Sequence, residues 1–335
     1  MAKVSPRRLG RSGIQVSAMG LGTWAIGGPF WHGDQPLGWG KVDDKESIRA
    51  IRRALELGVN FFDTADVYGA GHSERILGEA LEGSRDEVVI ATKFGNVFDE
   101  NTRQFLGVDV SPEYIRKACE ASLRRLKTDY IDLYQLHIWS LPEKEAAQVR
   151  EVLEELREND YIKAYGWSTD VPECARFFAE KPGCTAVQHE LNVLVDAKDM
   201  LELCEKLDLA SINRTPLAMG LLTGKFTSDS RLPLDDVRGK EPEWMKYFKN
   251  GKPNPEWLKK LELVREILTS DGRTLAQGAL AWIWARSEKT IPIPGFKTVK
   301  QVEENVGAMD FGPLSKDQMR QIDEILGERS PKYSR

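Results

Sequence analysis

Four residues carry the chemistry this chain could perform: Asp63, Tyr68, Lys93 and His137. Asp63 and Tyr68 share the stretch Phe61-Phe62-Asp63-Thr64-Ala65-Asp66-Val67-Tyr68-Gly69. Lys93 closes Val89-Ile90-Ala91-Thr92-Lys93, and His137 closes Leu133-Tyr134-Gln135-Leu136-His137. A carboxylate, a phenol, an ammonium and an imidazole form a set suited to proton transfer. A free phenol has a pKa near ~10; a neighbouring ammonium favours the phenolate, and a carboxylate keeps that ammonium charged in a partly dry site. An imidazole can hydrogen-bond a reacting oxygen and stabilise negative charge as it forms. Taken singly, each residue also has a structural reading, the lysine as a solvated rim residue and the histidine as a satisfied core or loop group. The elements that position them therefore decide the matter.

Each of these groups follows a short apolar run that reads as a buried strand. The first strand is placed at Ala18–Leu21, followed by a helix that starts at Asp43 or Asp44 and stops at Gly58. Strands then alternate with helices: 60–63, 88–93, 130–135, 164–168, 186–190, 210–215 and 290–292 against 73–81, 112–126, 145–159, 172–180, 199–206 and 299–308. Eight parallel strands with right-handed helical crossovers predict an α/β fold, a TIM-type (β/α)8 barrel, with the reactive groups at its mouth. The expected organisation is one barrel domain over residues 1–335. Residues 1–17 would form an N-terminal hairpin over the barrel floor, and 315–326 an extra C-terminal helix. Two long segments interrupt the pattern, Gly27–Val42 and 226–255, and the latter is expected on the active-site side.

The net charge is 47 minus 52, or −5, with no basic block, which argues against a nucleic-acid partner. No 18-residue apolar run and no apolar h-region occur, so neither membrane insertion nor secretion is expected. Cys119, Cys174, Cys184 and Cys204 lie too far apart for CxxC motifs and read as reduced thiols of a cytoplasmic protein. No GxGxxG follows the first strand, so any dinucleotide must lie across the barrel mouth instead of on a Rossmann unit.

Over almost its whole length the chain resembles the aldo-keto reductase superfamily, most of all bacterial members of the branch that includes the potassium-channel β subunits. The likeness rests on Gly20-Leu21-Gly22-Thr23-Trp24, Asp63-Thr64-Ala65 with Tyr68-Gly69 and Ser73-Glu74, Ala91-Thr92-Lys93 and Asp132-Leu133-Tyr134-Gln135-Leu136-His137. It continues through Gly166-Trp167-Ser168, Gln188 with Asn192, the run Pro216–Lys225, Ile291-Pro292-Ile293-Pro294-Gly295, and Gln301 with Glu304-Asn305. The resemblance implies NADPH-dependent reduction of an aldehyde or ketone, with Tyr68 as general acid and, in reverse, as base. It implies NADPH/NADP+ in preference to NADH, a small-molecule carbonyl substrate, and a monomer or weak homo-oligomer.

By the same resemblance, Ser168 and Gln188 hold the nicotinamide carboxamide. Gly22, Thr23, Trp24, Asp63, Thr215 and Gly295 lie at the cofactor, and Leu217, Gly220 and Lys225 follow the pyrophosphate beneath the 226–255 loop. Lys297, Gln301, Glu304 and Asn305 meet the adenosine end, at a helix start suited to anions. Two positions depart from the family pattern. Thr169 stands where many members have Asn, and Arg214 where an aromatic ring often stacks on the nicotinamide. Arg214 is expected to weaken retention of NADP+ relative to NADPH. Trp24, Phe30, Trp31, His32 and Trp139 are the expected walls of the substrate pocket, with Tyr68 and His137 at its base.

Two other functions fit parts of the pattern. A lyase barrel could use Lys93 as a Schiff base, but that needs a neutral amine. A cofactor-sensing regulatory subunit would bind NADP with little turnover.

Overall fold

The computed structural model describes residues 4–240 and 242–327. Its centre is a barrel of eight parallel strands: β1 (Leu21–Gly22), β2 (Phe61–Asp63), β3 (Val89–Phe94), β4 (Ile131–Leu136), β5 (Ile162–Ser168), β6 (Cys184–Glu190), β7 (Ala210–Arg214) and β8 (Thr290–Pro292). The strands lie in sequence order, and β8 meets β1 through the bridge Gly22–Gly295 and the bonds from Gly20 N and Gly22 N to Pro292 O (3.0 Å) and Pro294 O (3.1 Å). Glycine at position 22 has a steric cause: a Cβ there would lie 2.9 Å from the Ile293 carbonyl oxygen.

Strand periodicity explains how one barrel holds both a dry core and a polar mouth. Phe61, Val89, Ala91, Leu133, Ala164, Ala186, Ala210 and Ile212 form the buried interior cluster. Two residues further along the same faces stand Asp63, Lys93, Gln135, Gly166, Gln188 and Arg214. Register ties this upper layer together, with Gly22 beside Asp63, Lys93 beside Gln135, Ser168 beside Gln188, and Glu190 beside Arg214. The floor is closed by the hairpin of Arg7–Arg8 with Gln15–Val16, whose Leu9 and Val16 join the interior cluster.

Helices α1 (Asp44–Glu56), α2 (His72–Ala80), α3 (Pro112–Leu126), α4 (Glu143–Glu158), α5 (Pro172–Phe178) and α6 (Lys198–Leu207) follow the strands. Between β7 and β8 lie α7 (Pro255–Leu268) and α8 (Leu275–Arg286); α9 (Val299–Gly307) and the C-terminal α10 (Lys316–Gly327) complete the set. The apolar stripe of α1 buries Ala50, Ile51 and Ala54, and its start is capped by Asp43, which accepts from Glu46 N. Helix α8 is buried nearly all round, which places Trp282 and Trp284 in the core.

Two features depart from the sequence reading. The first is a strand pair after β3, Asn96–Asp99 with Gln104–Val108, that extends into a small sheet with Trp31–His32 and Gln35–Pro36. The second concerns the 226–255 segment, which carries a short hairpin (Phe248–Lys249 with Lys252–Pro253) and docks on the loop after β1. Val237 N donates to Gly38 O (2.8 Å), and Lys240 Nζ to Asp34 O (2.7 Å).

Candidate active site

The four residues singled out from the sequence meet at the C-terminal ends of β2, β3 and β4. Lys93 Nζ lies 2.6 Å from Asp63 Oδ1, 2.7 Å from the Thr64 carbonyl oxygen and 3.3 Å from the Tyr68 hydroxyl. Asp63 is fully engaged, because its Oδ2 accepts from Gln188 Nε2 (2.7 Å) and Gln135 Nε2 (3.2 Å). The rings of Tyr68 and His137 stand edge to face at 5.9 Å, and Trp24 stacks on the other side of Tyr68 at 5.9 Å. Thr23, Thr64 and Ser73 lock the turn that carries Tyr68, through Ser73 Oγ to Thr23 Oγ1 (2.7 Å) and Thr64 Oγ1 to Ser73 Oγ (3.0 Å).

Electrostatics assign protonation states. Burial opposes the Lys93 charge, yet Asp63 first and Tyr68 next hold its pKa above the ordinary value, so the amine is an ammonium. Burial, with help from Lys93 and Arg214, pushes His137 well below its usual range, so the imidazole is neutral. The direction for Tyr68 differs from the sequence expectation. Burial raises the phenol above its ordinary value and outweighs the downward pull of Lys93.

Asp63, Tyr68 and His137 line a cavity of about 950 Å³ at the barrel mouth, whereas Lys93 is fully buried and does not reach it. Gly22, Trp24, Ser168, Gln188, Arg214, Thr215, Leu217, Gly220, Lys225, Gly295, Lys297, Gln301, Glu304 and Asn305 line the same cavity. Phe30, His32 and Trp139 belong to the wall as expected. Of the residues expected at cofactor or substrate, two do not. Thr23 is fully buried, with its N–H and hydroxyl donating to Asp63 O (2.9 and 3.0 Å), so it braces β2 from behind. Trp31 is not a lining residue either: it alternates with Phe30 and His32 on a short strand, and the period of two puts it on the opposite face. Gln188 reaches the cavity, but its amide nitrogen is bonded to Asp63.

The cavity has polar residues that the sequence reading passed over. Arg238 pairs with Asp236 (2.6 Å), donates to Met219 O (3.0 Å) and lies 4.3 Å over the Trp39 ring. Asp170 accepts from Glu190 N (2.7 Å) through one oxygen and from Arg214 through the other. Glu190 accepts from Lys246 Nζ (2.6 Å) and from the Tyr247 hydroxyl, so it ties the long segment to β6. Trp244 of that segment packs on Trp24 at 6.1 Å.

The donor set fits a phosphorylated dinucleotide. Lys225, Arg238 and Lys297 bring three cations close together on the cavity wall, and burial foremost, then the Arg238 charge among others, lowers the pKa of both lysines. Lys297 Nζ also donates to Trp39 O (2.6 Å) and Lys41 O (3.3 Å), which leaves part of its donor capacity for a ligand. Thr215 Oγ1 and Trp39 Nε1 are buried with no hydrogen-bond partner among the described residues, and both residues line the cavity. Thr215, Met219 and Gly220 hold left-handed backbone (φ 50°, 57° and 91°) just where the chain rounds the cavity. Among the described residues no His/Cys/Asp/Glu cluster could hold a metal, and no helix is long and apolar enough to cross a membrane.

Fold and cavity together define a (β/α)8-barrel protein with a candidate active site at the barrel mouth. The Aldo/keto reductase family model matches residues 18–327, and the chain belongs to that family. It is 33% identical over 343 residues to an NADH-specific methylglyoxal reductase of Escherichia coli, covering 95% of this chain and 98% of the relative. Its structure resembles a glycerol dehydrogenase from Gluconobacter oxydans (TM-score 0.82, 31% identity, 100% of this chain and 98% of the other). It also resembles an aldo-keto reductase from Klebsiella pneumoniae in complex with NADPH (TM-score 0.69, 26% identity, 99% and 97%).

Proposed function

We propose that this protein is an NADPH-dependent reductase of aldehydes or ketones, acting reversibly, with Tyr68 as general acid and base. The observation that carries this reading is the contact of the Tyr68 hydroxyl with Lys93 Nζ (3.3 Å), itself paired to Asp63 (2.6 Å), beside a neutral His137. When bound, NADPH supplies hydride to the carbonyl carbon. Tyr68 gives its proton to the carbonyl oxygen as the C=O π bond breaks. Lys93 stabilises the resulting phenolate, and Asp63 keeps Lys93 charged. His137 donates one N–H to the same oxygen, which orients the substrate and meets the developing charge. In alcohol oxidation Tyr68 accepts the proton, so that rate is expected to rise with pH toward the elevated phenol pKa, while reduction falls off only on the alkaline side.

Three features support a phosphorylated cofactor at the far end: Lys297 and Arg238 as cations, and the start of α9, where Thr298 caps Gln301 N. The Klebsiella relative was solved with NADPH, whereas the Escherichia coli relative is NADH-specific, so the choice of cofactor must be measured on this chain. A Schiff-base lyase is disfavoured because Asp63 and Thr64 hold Lys93 as an ammonium.

The test is NADPH oxidation over a panel of aldehydes, ketones and sugars, with Tyr68→Phe as control. Loss of about 10²–10⁴-fold in kcat is expected for the variant; activity unchanged in Tyr68→Phe would remove the general acid. Lys297→Glu should raise KM for NADPH far more than for NADH, and equal changes would take Lys297 out of the phosphate site.

A further inference from the structure

Arg214 ends β7 two residues beyond Ile212, on the face that looks into the barrel mouth, and it lines the cavity together with Tyr68 and His137. Its charge is felt at both Tyr68 and His137, where it favours the phenolate and the neutral imidazole. A dinucleotide held in this cavity with its nicotinamide at Tyr68 would have that charge close to the ring. A full cation there would oppose the positive ring of an oxidised nicotinamide and leave the neutral reduced ring unaffected.

The structure answers that charge. Asp170, two residues past β5, accepts from Glu190 N (2.7 Å) with Oδ1, a backbone bond that fixes the carboxylate. Its Oδ2 is thereby aimed at Arg214 Nη2, and the pair is about three-quarters buried on both sides (26% and 29% exposed). Glu190, the other carboxylate at this rim, is engaged by Lys246 and Tyr247. Lys93 has its own carboxylate in Asp63. Glu190 also feels the Arg214 charge, but its side-chain bonds go to Lys246 and Tyr247, so Asp170 is the carboxylate bonded to Arg214.

We propose that Asp170 is a positioning residue that neutralises Arg214 beside the nicotinamide, and that this ion pair sets the relative affinity for NADP+ and NADPH. The inference rests on the dinucleotide-binding reading above. It also revises the expectation from sequence that Arg214 alone disfavours NADP+, because the charge to be considered is that of the pair, not of the arginine.

The experiment is direct binding of NADP+ and of NADPH, followed by quenching of protein tryptophan fluorescence, in four proteins: wild type, Asp170→Asn, Arg214→Gln and the double variant. Asp170→Asn exposes the cation and should weaken NADP+ about fivefold relative to NADPH. Arg214→Gln leaves the carboxylate and should tighten NADP+ relative to NADPH by a similar factor. The double variant removes both charges and should return the ratio to that of wild type. A role of Asp170 limited to bracing the backbone at Glu190 would weaken both forms alike and leave the Asp170→Asn ratio at the wild-type value, which overturns the proposal. Should Asp170→Asn fail to fold, Arg214→Gln and the double variant still decide: equal ratios in those two overturn it. Failure of wild type to bind either form would instead reject the dinucleotide reading itself, and the proposal with it.

Discussion

Two carboxylate–cation pairs stand at the barrel mouth, and they differ in how they are held. Asp63–Lys93 spans neighbouring strands, is 2% and 0% exposed, and has every carboxylate oxygen engaged. Asp170–Arg214 joins a loop to a strand end, and each partner keeps more than a quarter of its surface in the open. A fully buried pair has no water to fall back on, so each partner is obligatory to the other. A half-buried pair can be loosened without collapse, which suits it to adjusting a charge. In the proposed mechanism, burial more than distance would separate the pair that holds the reaction geometry from the pair that tunes it.

The sharpest way to break this contrast is Lys93→Met. Removing the ammonium strands Asp63 with only amide donors in a dry site, and a loss of roughly 3–5 kcal/mol is expected in urea unfolding. Tyr68 would also lose the cation beside its phenolate, so kcat should fall by about 10²–10⁴. A Lys93→Met protein of near wild-type stability would show that the buried pair is not obligatory, and the contrast with Asp170–Arg214 would vanish.

A smaller effect is expected at Glu190, on the tunable side. Glu190→Gln weakens the ties to Lys246 Nζ (2.6 Å) and to Tyr247, through which the long segment carrying Trp244 and Met245 is held at the cavity. KM for NADPH should rise by about tenfold, the worth of one charge-assisted hydrogen bond, while kcat changes little. A fall in kcat with KM unmoved would place Glu190 in the reacting set instead.

The obligatory side of the mouth was readable in the sequence; of the tunable side only Arg214 was, and only through the family resemblance. Lys93 and His137 close apolar strands whose alternation is a local signal, and Asp63 stands two residues beyond Phe61 on the same face. Gln135 carried the same signal, two residues past Leu133, and could have been read as a partner of Asp63 from the strand period alone. Asp170 and Arg238 gave no such sign, because a charged residue in a loop looks the same whether solvated or paired, and Glu190 at the last position of β6 reads equally as a solvated strand end. Arg214 lies 44 residues from its carboxylate and Tyr247 lies 57 from Glu190, separations that only the closed barrel brings together. Trp31 failed for a related reason: which face it takes depends on pairing with Gln104, in a strand pair that lacked a readable pattern.

The weakest effect on function, and the cleanest probe of burial itself, is expected at Asp66. Its carboxyl is 1% exposed behind the Tyr68 turn, and Oδ1 has no hydrogen-bond partner among the described residues. Arg125 is already bonded to Glu74 (2.7 Å) and Glu100 (3.0 Å), so Asp66 lacks a cation of its own. Burial and then Glu74 push its pKa well above the ordinary carboxylate range, and Arg125 offsets only part of this. Asp66 therefore meets with a proton the demand that Asp63 meets with Lys93. With the folded pKa raised, its contribution to stability is complete below the unfolded pKa of ~3.9 and is lost as pH rises through the folded value. Asp66→Asn has no proton to lose, so it should gain on wild type with increasing pH, by at most ~1.4 kcal/mol per pH unit, until wild-type Asp66 ionises in the folded state. Urea unfolding of both proteins from pH 4 to 9 measures the gap. A gap that stays constant over that range would mean Asp66 keeps its charge when folded, and that burial at this mouth does not require a paired cation after all.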